Sequence, residues 1–229
     1  MFLRRVLLRV LRFAFQLFYN PFAFTYDPVS AIVSLGRWRA WTRVAIPRIQ
    51  GARVLEVPCG TGNLLLDLRA AGYAPVGVDL SASMLKITRG KLQRPSTSSS
   101  TRSARSESAQ DAPLLARARA EALPFSDGAF DSVVMTFPPG FIYDPEVFVE
   151  IRRMLDDRGR LIWVDAARFV SRGLWGRLVN RWIGFGGSAA ESERLMARVL
   201  ARAGFESNIE WVGDDVSVVA VAVAQVSEQ

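Results

Sequence analysis

A carboxylate, Asp79, and two glycines in this chain are spaced to hold a nucleoside. Glu56 precedes Gly60 and Gly62 in the run Val54-Leu-Glu-Val-Pro-Cys-Gly-Thr-Gly-Asn63, and Asp79 closes the run Val76-Gly-Val-Asp79. An acid about 20 positions after a glycine turn is where a doubly wound fold sets a carboxylate on a ribose hydroxyl. The chain contains no histidine. That excludes histidine-ligated metals, Ser-His and Cys-His nucleophile pairs and a histidine general base. Any proton transfer falls to Asp165, Tyr143, Asp144, Tyr26 or Asp27, each of which also has a plain structural use; Asp27, for instance, precedes Pro28 and suits a turn cap.

The elements that position these groups are legible around them. Val54 to Val57 reads as a buried strand, Leu64, Leu65 and Leu68 as one face of a helix, and Val76 to Val78 as the next strand. A dinucleotide turn needs a third glycine where this chain has Leu65, and a P-loop needs a lysine that Gly62-Asn63-Leu64 does not supply. NAD and nucleoside triphosphates are therefore disfavoured. Free amides at the helix start suit a smaller anion, such as the carboxylate of an amino-acid moiety.

With Glu56, Gly60, Gly62 and Asp79 in place, the segment resembles the class I S-adenosylmethionine-dependent methyltransferases, whose first motif runs acid-x-Gly-x-Gly-x-Gly; Pro58 stands at the first glycine. Ala120 to Met135, with its Leu123-Pro-Phe125 run, resembles that family's adenine loop and fourth strand. Arg119 occupies the usual acid position and cannot accept a bond from an adenine amino group, which leaves backbone or Glu121 for that contact. Glu150 to Leu155, Arg158-Gly159 and Leu161 to Asp165 resemble the following helix, turn and fifth strand. Tyr26-Asp27, Ser34, Gly36, Arg39 and Trp41, together with Arg153, Leu155, Gly159, Val164 and Asp165, are similar to signatures of the ubiquinone/menaquinone biosynthesis C-methyltransferases. Ser30, Trp38, Asp156-Asp157-Arg158 and Ala167 depart from them. Tyr26 and Trp41 also fit as aromatic anchors of an amphipathic helix.

The resemblance implies an α/β, Rossmann-like, doubly wound sheet of seven mostly parallel strands with a C-terminal antiparallel hairpin. It implies S-adenosylmethionine as cofactor, no metal, and contacts from Glu56, Pro58, Gly60, Gly62, Asp79, Ala120, Glu121 and Phe137. The activity implied is methyl transfer to a lipophilic, quinol-like small molecule. Two alternatives stay open: a lipid headgroup amine or soluble small molecule as acceptor, and a catalytically silent, membrane-associated binding module, which Pro58 and Arg119 favour.

The net charge of +7 is concentrated at one end. Residues 1–53 carry nine arginines against a single acid, Asp27, and the remainder is close to neutral. Arg4, Arg5, Arg9 and Arg12 share one face of a helix whose other face is leucine, valine and phenylalanine. Such a basic amphipathic helix lies in the interface of an anionic bilayer or docks on the protein's own core. The longest charge-free stretch, Phe13 to Tyr26, contains Pro21 and falls short of the roughly 20 residues a spanning helix requires. Arginines 9 and 12 also interrupt the apolar region a signal peptide would need. No nucleic-acid module or aromatic-basic groove is visible. The single cysteine, Cys59, has no disulfide partner and reads as a buried thiol in a reducing compartment.

These features predict basic amphipathic and lead-in helices over 1–49 and a methyltransferase domain over 50–229. Within the latter, the Ser-rich stretch 95–112 reads as a flexible insertion, and the apolar stretch 170–187 as either a substrate cap or a core helix. A helix from Ser192 to Ala203, stopped by Gly204, and two strands around Gly213-Asp214-Asp215 complete the chain. The expected location is cytoplasmic, at the inner face of the membrane.

Overall fold

Short runs of valine, leucine and isoleucine form the central strands, buried on both faces, and the intervening amphipathic runs cover them as helices. The computed structural model describes residues 23–93, 114–138, 144–170 and 189–227. Helices α1 (Tyr26–Val33) and α2 (Trp38–Arg43) lead into β1 (Val54–Glu56). There follow α3 (Asn63–Ala70), β2 (Val76–Asp79), α4 (Ala82–Leu92), β3 (Leu115–Arg117) and β4 (Phe130–Thr136). The chain continues through α5 (Pro145–Met154), β5 (Leu155–Phe169), α6 (Ala189–Arg202), β6 (Phe205–Gly213) and β7 (Ser217–Val226).

The described strands form one seven-stranded sheet in the order β3-β2-β1-β4-β5-β7-β6. β1 to β5 run parallel, and β7 runs antiparallel to both β5 and β6. Winding proceeds outward from β1 through β2 and β3, then reverses to β4 and β5. The carboxyl ends of β1 and β4 therefore flank the reversal, where an open α/β sheet leaves its ligand crevice. One core lies between the sheet and α5 and α6, built on Phe148, Ile151, Met154, Trp163, Met196 and Leu200. The other lies beneath α2 and α3 and joins Trp41, Leu64, Leu68, Val164 and Val221.

Local chemistry fixes the helix ends. Ser81 accepts the Met84 amide at the start of α4, and Asp144 accepts the Glu146 amide at the start of α5, with Pro145 in the first turn. Gly204, at φ +77°, closes α6 in the left-handed conformation glycine adopts freely. The third strand is confined to Leu115–Arg117. β5 is longer than the expected Leu161 to Asp165. It begins directly at Leu155 and runs through an irregularity after Asp165 to Phe169. The amphipathic stretch 1–20, the insertion 95–112 and residues 171–187 of the apolar stretch lie outside the described residues.

Candidate active site

The glycine turn that links β1 to α3 is braced from β2. Asp79 accepts the Gly60 amide on Oδ2 at 2.9 Å and the Ser81 amide on Oδ1 at 2.8 Å. The Cys59 amide donates to the Val78 carbonyl, and the Gly62 amide to the Cys59 carbonyl. Hence the amides of Cys59, Gly60 and Gly62 are consumed within the turn. The Val57–Pro58 peptide bond is cis.

The two glycines serve different ends. Gly60 has φ +51°, and a Cβ built there meets nothing within 4 Å, so its backbone borders open pocket space. Gly62, at φ +75°, has no such space: a Cβ would stand 2.4 Å from Thr88 Cγ2 of α4. Its role is to let α3 and α4 approach one another. Thr88 in turn donates to the Gly60 carbonyl at 2.8 Å.

The pocket beside this turn is lined on one side by Glu56, Pro58, Cys59, Gly60, Thr61, Asn63, Leu64 and Asp79. Glu56 is only 2% exposed and its Oε2 accepts no hydrogen bond. Burial, with the neighbouring charges of Asp79 and Asp67, drives its carboxyl well above the usual carboxylate range. Asp79 is raised as well, chiefly by burial, against the opposing effect of the Ser81, Gly60 and Leu80 amides. Burial pushes the Cys59 thiol upward too, in keeping with an inert role. A buried carboxylate oxygen without a donor calls for a cationic or hydroxylic ligand group. Glu56 offers such an acceptor for an ammonium. Asp79 accepts backbone amides on both oxygens and keeps further lone pairs for a diol. An amino-acid moiety joined to a ribose has this complement of groups, so these residues fit S-adenosylmethionine. Replacing Asp79 by Ala is expected to weaken S-adenosylhomocysteine binding tenfold to a hundredfold, about 1.5–3 kcal/mol. Equilibrium dialysis measures this, with melting temperature as the control for loss of the turn's brace.

The opposite wall is aromatic. Tyr26 of α1, Trp38 and Thr42 of α2, and Thr136 and Phe137 after β4 complete the lining. The Trp38 and Phe137 rings lie 4.4 Å apart between centroids, and Tyr26 meets Trp38 edge-on at 6.1 Å. Phe137 sits at φ +45°, an unusual conformation for a bulky residue, held by its amide's bond to the Val164 carbonyl at 2.8 Å. Trp41 lies behind this wall, 2% exposed, with Nε1 donating to Ser217 Oγ at 3.1 Å. Trp38, Thr42, Thr61, Asn63 and Thr136 were not singled out as site residues from sequence. The i, i+4 spacing of Trp38 and Thr42, which places both on one helix face, was the available signal.

The candidate acids separate by environment. Asp27 accepts Thr61 Oγ1 at 2.6 Å and Asn63 Nδ2 at 2.9 Å, and pairs with Lys91 Nζ at 2.6 Å. Burial alone would raise it, but Lys91, Thr61 and Asn63 outweigh that and hold its carboxyl below the usual range. It ties α1 to the glycine turn. Asp144 caps α5, Tyr26 lines the pocket, and Tyr143 lies outside the described residues. Ala120 packs into the core beneath α5, and Glu121 pairs with Arg119 at 3.1 Å. Neither is among the pocket-lining residues, whereas Phe137 is.

Asp165 ends the regular pairing of β5 with β7, one residue past the Val164–Thr136 register pair. Burial pushes its carboxyl from 3.8 up to about 6, against the Ala166 amide, which donates to Oδ1 at 2.8 Å. A carboxyl that binds its proton more tightly when folded costs stability as pH rises. The loss begins near the unfolded value and is complete above about pH 6. Asp165→Asn is therefore expected to stabilise the protein by about 1–3 kcal/mol at neutral pH and by nothing at acid pH. Thermal melts across that range give the test.

Known proteins match this arrangement. Residues 55–163 match a methyltransferase domain family. A demethylmenaquinone methyltransferase of Symbiobacterium thermophilum is 32% identical, over 67% of this chain and 59% of that protein. The ubiquinone/menaquinone biosynthesis C-methyltransferase UbiE of Geotalea uraniireducens is 34% identical, over 66% of this chain and 62% of that protein. The match thus spans about three fifths of these relatives' length. Among solved structures, an S-adenosylmethionine-dependent methyltransferase of Thermotoga maritima superposes with a TM-score of 0.60 at 19% identity, over 93% of this chain and 99% of that one. With the glycine turn, the two carboxylates and the strand order all in place, residues 55–163 form a methyltransferase domain of the class I, S-adenosylmethionine-dependent type, and the chain is similar to the UbiE relatives.

Proposed function

We propose that this protein transfers the methyl group of S-adenosylmethionine to a lipophilic, quinol-like acceptor at the inner, anionic surface of a membrane. The observation that carries this reading is one pocket with two unlike halves: the carboxylates Glu56 and Asp79 on one side, the rings of Tyr26, Trp38 and Phe137 on the other. The names of the quinone-pathway relatives support it. When bound, the cofactor supplies a methyl group already activated on a sulfonium. The chain's contribution is alignment and exclusion of water, which can lower a barrier by several kcal/mol without covalent catalysis. Stacked rings suit a flat aromatic acceptor. Asp27 is committed to Lys91 and Asp144 to its helix, and Asp165 is not among the pocket-lining residues, so of the described candidates Tyr26 is the one at the pocket wall for the acceptor's proton.

The test is an acceptor panel with methyl-labelled cofactor: demethylmenaquinol in anionic vesicles, phosphatidylethanolamine, and a soluble catechol. Label in the quinol, found by mass spectrometry, is the expected result. Label confined to either of the others would reassign the acceptor, and cofactor binding with no label anywhere would leave a silent binding module.

A further inference from the structure

Asp27, Thr61, Asn63 and Lys91 are hydrogen-bonded to one another beside the glycine turn, and their chemistry fixes who donates and who accepts. An ionised aspartate offers only acceptors and a lysine only donors. Lys91 Nζ reaches Asp27 Oδ2 at 2.6 Å and the Asn63 side-chain oxygen at 2.7 Å. The Asn63 amide nitrogen donates to Asp27 Oδ1 at 2.9 Å. Asn63 is thus held at both ends, and its amide has one orientation that satisfies both neighbours. Thr61 donates its single hydroxyl hydrogen to Asp27 Oδ1 at 2.6 Å. Its oxygen is left with acceptor capacity alone, approached within the cluster only by Asn63 Nδ2 at a long 3.4 Å.

The cluster divides into two parts. Thr61 and Asn63 line the pocket, whereas Asp27 and Lys91 are not among its lining residues. Lys91 stands one turn beyond Thr88 on α4, so one helix face holds the glycine turn twice: Thr88 through the Gly60 carbonyl, and Lys91 through Asn63 and Asp27. Burial would raise the Asp27 carboxyl, but Lys91, Thr61 and Asn63 keep it below the usual range, so at neutral pH it accepts from Thr61 and does not donate to it. We propose that Asp27 and Lys91 are positioning residues that make Thr61 an acceptor at the pocket wall and thereby select a ligand group with hydrogens to donate, the ammonium of the cofactor's amino-acid moiety. Glu56, whose Oε2 accepts no hydrogen bond within the protein, gives the same wall a second acceptor. The inference rests on the pocket holding S-adenosylmethionine and deepens that reading by naming what orients its wall.

The test compares two ligands on the full-length chain: S-adenosylhomocysteine, and its deaminated analogue, which keeps the nucleoside, thioether and carboxylate but lacks the ammonium. Asp27→Ala is expected to weaken S-adenosylhomocysteine binding about tenfold and to leave the analogue's affinity unchanged. Lys91→Met, which leaves the carboxylate unheld, is expected to lower the same ratio of affinities by a smaller factor. Thr61→Val is expected to weaken S-adenosylhomocysteine binding in the wild type and to add little in the Asp27→Ala background, because Asp27 acts through that hydroxyl. A purely structural role predicts a different pattern, in which both ligands lose affinity in equal proportion and the two substitutions add. That pattern, or an unchanged ratio in either variant while the wild type binds S-adenosylhomocysteine, overturns the inference and spares the cofactor site. A folded wild type that binds neither ligand overturns both. Should Asp27→Ala fail to fold, Lys91→Met decides by the same ratio.

Discussion

Gly62→Val is expected to destabilise the fold by about 3–5 kcal/mol and to abolish cofactor binding. Two costs add. At φ +75° a β-branched side chain meets a left-handed backbone penalty of about 1–2 kcal/mol. Overpacking contributes about 1–3 kcal/mol more, because the new Cβ would lie 2.4 Å from Thr88 Cγ2. Thr88 has little freedom to yield, since its hydroxyl shares its one hydrogen between the Gly60 and Met84 carbonyls. Displacing it moves Gly60, and with it the amide that Asp79 holds. Gly60→Ala is the informative contrast. Its Cβ meets nothing within 4 Å, so it carries the backbone penalty alone, about 1–2 kcal/mol, yet it projects beside the pocket and obstructs ligand. Thermal unfolding and S-adenosylhomocysteine titration separate the two: Gly62→Val fails both, and Gly60→Ala fails mainly the second. A Gly62→Val protein with normal melting and binding would refute the assigned turn.

Converting Arg4, Arg5, Arg9 and Arg12 to Gln is expected to weaken binding to anionic liposomes about a thousandfold. Each arginine near such a surface contributes about 1 kcal/mol, so four contribute about 4 kcal/mol. Salt should weaken wild-type binding in the same sense. Deleting residues 1–20 should release the chain from vesicles and leave cofactor affinity intact, because Gly60, Gly62 and Asp79 belong to the described sheet and turn. Flotation of wild type, variant and truncation on neutral and anionic vesicles reads all three effects. Equal flotation throughout would mean that the segment does not serve as an anchor. Among the described residues no helix is long and apolar enough to cross a membrane.

What the sequence made legible was local. The strand, glycine turn, helix, strand and acid from Val54 to Asp79 follow from residues close along the chain, and the structure sets them as β1, α3 and β2. The same holds for Gly204 ending α6 and for the hairpin of β6 and β7. What stayed hidden depends on distant partners. Nothing around Asp27 announces Lys91, 64 positions away, or around Trp41 announces Ser217, 176 away. The early start of β5 was masked because α5 passes into it between Met154 and Leu155 with no glycine or proline to mark the change. The differing duties of Gly60 and Gly62 required the position of Thr88 on α4, which spacing alone does not reveal.

The central claim is that the pocket between Glu56, Asp79 and the Trp38–Phe137 wall holds S-adenosylmethionine. Titration calorimetry of S-adenosylmethionine into the wild type, Asp79→Ala and Asp165→Asn tests it most directly. The account predicts one site per chain in the wild type, affinity reduced tenfold to a hundredfold in Asp79→Ala, and unchanged affinity in Asp165→Asn. No binding to the folded wild type, or equal binding to Asp79→Ala, would contradict it.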